Sequence, residues 1–143
     1  MNIGAELVAA ALPGLNLALA WLWILLGFGS GLLLGLGFQR ENWLGGYSSL
    51  KRRLYRLGHI SFFGLGAVNL MFHLTAQTLP GNATFLGLSS WLFVVGAVAM
   101  PVSCVVMAHQ PKAKMLFAVP VLSLLGAGAL TLWMVVENFW RHI

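Results

Sequence analysis

The sequence predicts an all-α integral membrane protein, a four-transmembrane-helix bundle with short antiparallel connections, and three observations carry that prediction. Hydrophobic residues make up 59% of the 143-residue chain and charged residues only 8%, too little polar surface to solvate a small soluble domain. Apolar runs recur at lengths that, at about 1.5 Å rise per residue, cross a hydrocarbon core of about 30 Å. The basic residues sit between these runs, as membrane topology requires. The runs are 15–38, 54–79, 85–107 and 115–138, within a single membrane domain spanning 1–143.

Mean hydropathy is +0.88, and the pI near 10.2 does not redirect the reading to nucleic acid, because the cations form linkers and not an interaction face. The lone Cys104 excludes an internal disulfide framework and a cysteine-only metal site. Residues 1–12 carry Glu6 and read as a weakly amphipathic lead-in, with Pro13 and Gly14 marking a break or bend. No basic n-region precedes the first run, which is too long for a signal-peptide core and is expected to remain as a helix.

Within span 15–38, Gly27, Gly31 and Gly35 repeat every fourth residue, with Gly29 and Gly37 beside them. Such spacing strips side chains from one stripe and permits close helix contact. Beyond ordinary packing, it would suit a subunit interface or a slot for a flat cofactor or lipid tail. The linker 39–53 follows, with Trp43 and Tyr47 suited to headgroup depth and Arg40, Lys51, Arg52 and Arg53 giving a positive balance that Arg56 extends. Anionic lipid, cardiolipin included, is a candidate partner for this segment.

Span 54–79 organises the chain. His59, Asn69, His73 and Gln77 interrupt it, and at about 100° per residue His59, Gly66, His73 and Gln77 share one broad face with Asn69 at its edge. Solitary polar groups in hydrocarbon are costly, so this face is expected to meet a partner helix, a cofactor or a substrate path. The uncharged turn 80–84 makes spans two and three antiparallel neighbours, and its Asn82-Ala83-Thr84 sequon reads as a turn.

In span 85–107, Pro101 is expected to kink or loosen the helix. Met100, Cys104 and Met107 lie along one side and, with His109, would suit a soft metal, although a methionine stripe at helical spacing fits core packing. A second basic linker, 109–114, precedes span 115–138, which passes Pro120 and the small-residue cluster 126–129. Placing both basic linkers in the cytoplasm puts both termini on the non-cytoplasmic side of a membrane of the bacterial inner-membrane type.

For chemistry, His59, Gly66, Asn69, His73 and Gln77 are the candidate cofactor-binding residues, and His59, His73 and His109 the candidate metal ligands, for a b-type haem or a quinone. His59 and His73 are separated by about 21 Å along one helix and cannot ligate a single haem from it. Glu137 reads as a solvated interfacial acid or an outer proton-exchange group. No buried carboxylate orients His59 toward Ser61 or Cys104, and the sparse acids argue against paired-carboxylate chemistry. The expectation is therefore a small membrane subunit of a larger energy-transducing or redox complex, non-catalytic or electron-transferring, with a proton, ion or small-molecule transporter or channel component as the alternative. Other integral membrane subunits are its expected partners.

Overall fold

A computed structural model describes residues 3–79 and 83–141, with side chains from residue 14 onward. Four long helices run α1 (Ile3–Phe38), α2 (Leu50–Thr78), α3 (Ala83–His109) and α4 (Ala118–Arg141). All are apolar and long enough to cross a membrane. Tyr55 near the start of α2 hydrogen-bonds His109 at the end of α3, which places both basic linkers at one end of the bundle. This basic end lies opposite the neutral end, where α2 gives way to α3. The turn at residues 80–82 and His142 lie outside the described residues.

Large apolar side chains remain exposed on every helix, including Leu25, Phe28 and Leu33 on α1, Met71 on α2, Val102 on α3 and Leu122 and Leu125 on α4. In water this surface would aggregate; in a bilayer it is the lipid face. The fold is that of a membrane-embedded helical protein.

Burial on α1 follows a strict seam of Asn16, Ala20, Trp23, Gly27, Leu34 and Gly37, the steps of three, four and seven expected of left-handed helix packing. α3 is the hub, packed along α1, α2 and α4, while α4 packs along α3. Small buried residues explain that role: Gly87, Ser89, Ser90, Gly96, Ala97, Ser103 and Cys104 let three neighbours approach one helix. Leu124 of α4 occupies the space over Gly96, where an added Cβ would come within 2.5 Å of its Cγ. Phe72, Ala76, Phe93 and Ala127 form one core cluster and Trp23, Leu65 and Ala97 the other. α4 buries only Pro120, Ala127 and Met134, one residue per heptad.

The helix boundaries depart from the sequence expectation: α3 is two residues longer at each end, and α4 starts at Ala118, after a 3-10 stretch over Pro111–Phe117, and runs to Arg141. α1 is continuous from Ile3 through Pro13, so the expected break there does not end the helix. α2 begins at Leu50, four residues early, because Ser49 caps it by accepting from Arg52 N–H at 3.1 Å.

The carbonyls four residues before Pro101 and Pro120 are each met by a side chain of another helix. Pro101 has no N–H to give the Ala97 carbonyl four residues earlier, and the Trp23 indole of α1 donates to that oxygen at 3.2 Å instead. Pro120, in the first turn of α4, gives no N–H to the Leu116 carbonyl, which accepts from Ala118 N–H and from the Ser103 hydroxyl of α3 at 3.3 Å. α3 therefore remains one helix across Pro101, and the freed carbonyl becomes a tie to α1.

Candidate functional site

The polar residues of α2 divide between two surroundings. Toward the neutral end, Asn69 is fully buried and accepts from Asn16 Nδ2 at 2.8 Å while donating to the Leu65 carbonyl at 2.8 Å. Ser90 of α3 donates its hydroxyl to Asn16 Oδ1. These side chains bond one another and tie α1, α2 and α3 together. Asn16 and Ser90 escape a reading of α2 alone; the signal available was one uncharged polar residue at matched depth in three antiparallel spans.

Gly66 lies at the closest approach of α2 to α1, where an added Cβ would stand 3.2 Å from the Ala20 carbonyl oxygen and 3.4 Å from Trp23 Cβ. Gly66 and Asn69 thus face α1. His73 and Gln77 bond each other at 2.9 Å one turn apart, near the neutral end. The α2 face drawn from periodicity is real, but α1 covers its middle.

The glycine repeat of α1 is also filled from within. A Cβ at Gly27 would meet Phe63 Cζ at 2.7 Å, and one at Gly31 would meet His59 Cε1 at 2.9 Å, whereas nothing lies within 4 Å of Gly35. The slot considered for a flat cofactor or lipid tail holds the protein's own Phe63 and His59 rings. Gly37 receives Trp43 in the same way.

Two polar residues of α2 border open space: Thr75, beside a hollow of about 290 Å³ toward the neutral end, and His59 toward the basic end. Beyond the Trp23 to Ala97 tie, α1 and α3 separate toward the basic end and leave a groove of about 250 Å³ lined by Ser30, Leu34, Trp43, His59, Phe62 and Pro101 among others. A second, lipid-open hollow of about 380 Å³ adjoins it, sharing Phe62, Pro101 and Val105. The walls are apolar apart from Ser30, His59 and Tyr55, whose hydroxyl is held by His109 at 2.9 Å.

Ser30 orients His59. The Ser30 hydroxyl has one hydrogen to share between the Gly27 carbonyl at 3.1 Å and His59 Nδ1 at 3.0 Å. With the hydroxyl hydrogen on Gly27, Nδ1 donates to Ser30 Oγ and Nε2 is an acceptor; with it on Nδ1, Nε2 carries the ring proton and is a donor. Phe63 meets the imidazole edge-on at 5.5 Å between centroids and limits its rotation.

His59, His73 and His109 do not assemble into a metal centre: each bonds a different side chain, and among the described residues no three His, Cys, Asp or Glu groups gather around a common point. Cys104 is fully buried against Gly58, and Met100 packs on the Trp23 cluster, so this part of the sulfur stripe is core. Glu137 pairs with Arg141 one turn on, at an exposed position. No family model, no curated protein and no solved structure matches the chain.

Proposed function

We propose that this chain is a small, non-catalytic subunit of a larger energy-transducing or redox assembly in a membrane, and that its groove beside His59 receives a quinone-type ring. The observation that carries this reading is the oriented imidazole at the edge of an apolar, lipid-open groove. With Nδ1 bonded to Ser30, Nε2 is an acceptor for a quinol hydroxyl in one neutral tautomer and a donor to a quinone carbonyl in the other. Phe62 and Trp43 supply flat walls, and the adjoining hollow lined by Val98, Val102 and Val106 suits a hydrocarbon tail.

A quinone fits this setting better than a b-type haem, because His59 is the one imidazole lining the groove and no methionine or cysteine lines it opposite. The narrow buried stripe of α4 leaves most of that helix for lipid or for neighbouring membrane subunits. By the positive-inside rule the basic end faces the cytoplasm of a bacterial inner membrane, with both chain ends on the opposite side; single-cysteine labelling in intact cells tests that orientation.

The ligand is tested with a photoreactive quinone analogue in nanodiscs, followed by peptide mapping. Crosslinks at residues 30–34 and 101–105, competed by unmodified quinone and lost in His59→Leu, are expected. Uniform labelling of the lipid face, or labelling indifferent to His59→Leu, overturns the reading. A b-type absorption band that vanishes in His59→Leu would return the assignment to haem.

A further inference from the structure

At the basic end, the chain reverses through Leu44, Gly45 and Gly46, whose φ values of 54°, 85° and 89° are all positive. That reversal lays Trp43 back on Gly37 of α1 and brings Tyr47 beside the first turns of α2. Ser49 locks the corner by donating to the Leu44 carbonyl at 2.6 Å while capping Arg52 N–H. The side chain so positioned is Arg52, only 4% exposed, with its guanidinium carbon 5.0 Å from the Phe38 ring, 5.3 Å from Tyr47 and 5.9 Å from Trp43.

Aromatic faces attract a cation, but they give it no hydrogen-bond acceptor. Arg52 Nε is buried without one. Arg56, one turn on, stands 4.8 Å over the same Tyr47 ring. Two guanidinium groups thus flank one ring at an i,i+4 spacing that is repulsive for like charges. Among the described residues the one ion pair is Arg141 with Glu137, at the far end of α4, and Glu41, the acid of this linker, pairs with neither arginine. The N-terminus of α2 adds its partial positive charge at the same place.

We propose that this corner binds the phosphate of one anionic phospholipid, with Arg52 and Arg56 as its ligands. A phosphate offers the missing acceptor oxygens, relieves the arginine repulsion and matches guanidinium donors in geometry. The lipid source follows from position: Phe38 ends an apolar span, Trp43 and Tyr47 suit headgroup depth, and Trp43 is also a wall of the groove. An acyl chain can descend from the caged phosphate along α1. The proposal stands apart from the quinone reading, since it needs neither His59 nor any redox partner.

The test is native mass spectrometry of the full chain in neutral detergent, titrated with phosphatidylglycerol or phosphatidylcholine. One phosphatidylglycerol is expected to survive washing that removes phosphatidylcholine. Arg52→Gln and Arg56→Gln should each weaken retention about fivefold and their combination by roughly tenfold or more, whereas the Lys112→Gln, Lys114→Gln pair on the other basic linker should stay within about twofold. Arg52→Lys should fall between, keeping charge and losing the planar fit. Should Arg52→Gln fail to fold, Arg56→Gln decides the matter, because Arg56 is only partly buried. Equal retention of phosphatidylcholine, or equal loss in the lysine pair, overturns the site. Displacement of the lipid by equimolar inorganic phosphate would mark a free-anion site and overturn the lipid assignment.

Discussion

Toward the neutral end, Asn16, Asn69 and Ser90 spend their hydrogen bonds on one another, and Trp23 takes up the carbonyl that Pro101 releases. Toward the basic end the same helices separate: Ser30 and His59 face a groove, and Arg52 sits among rings with a donor unspent. Both halves hold polar groups inside an apolar medium, yet the first is closed by a hydrogen-bonded tie across three helices and the second is open at the His59 groove. The closed half still buries Ser89 Oγ and Asn138 Oδ1 unpartnered and has a hollow of about 290 Å³ toward the same end. In a bilayer, where hydrophobic burial does little to hold helices together, the closed half must supply the cohesion. That cohesion permits α1 and α3 to part at the opposite end without the bundle dissolving.

The largest effect should come from breaking the closed half. Asn16→Leu removes an acceptor of the Ser90 hydroxyl and the donor to Asn69 Oδ1, untying three helices at once, and should cost about 2 kcal/mol in a steric-trapping unfolding measurement. A loss below about 0.5 kcal/mol would show that the three residues are bystanders.

Next in size is the proline tie. Trp23→Phe should cost about 1 kcal/mol in the natural background. In Pro101→Ala, where residue 101 regains an N–H for the Ala97 carbonyl, the same change should cost close to nothing beyond the ring's packing. A double-mutant cycle reads the coupling directly, and strict additivity would show that the indole does not compensate the proline.

A smaller change sharpens the open half. Ser30→Ala should shift stability by about 0.5 kcal/mol or less, since the groove side of Ser30 carries little packing. It should nevertheless shift the balance of His59 tautomers, read as Nδ1 against Nε2 protonation in the nitrogen spectrum of the labelled ring. An unchanged balance in Ser30→Ala would mean that another group sets it.

The architecture was legible because span length, apolar content and charge placement are read one residue at a time along the chain. The four spans and the polarity of α2 both emerge that way. What escaped were facts that need two chain segments together. Periodicity put Gly66 and Asn69 on a face with His59 but could not say that Ala20 and Asn16 would cover them. The glycine repeat promised space, and the rings of Phe63 and His59 took it. Arg52 read as one more linker cation, because its cage is assembled from the end of one helix and a reversal with three positive φ values. Pro101 and Trp23 were both visible, but their connection runs through a backbone carbonyl that no side-chain pattern marks.

The division between a closed half that holds the fold and an open half that holds a ligand is tested most directly by Asn16→Leu and His59→Leu in parallel, each measured for unfolding free energy and for crosslinking by the photoreactive quinone in the same nanodiscs. Asn16→Leu is expected to lose about 2 kcal/mol while its folded fraction still crosslinks at the groove, and His59→Leu to stay within about 1 kcal/mol of the parent while crosslinking disappears. The opposite pattern, with His59→Leu unfolding the bundle or Asn16→Leu abolishing the crosslink at unchanged stability, would contradict it.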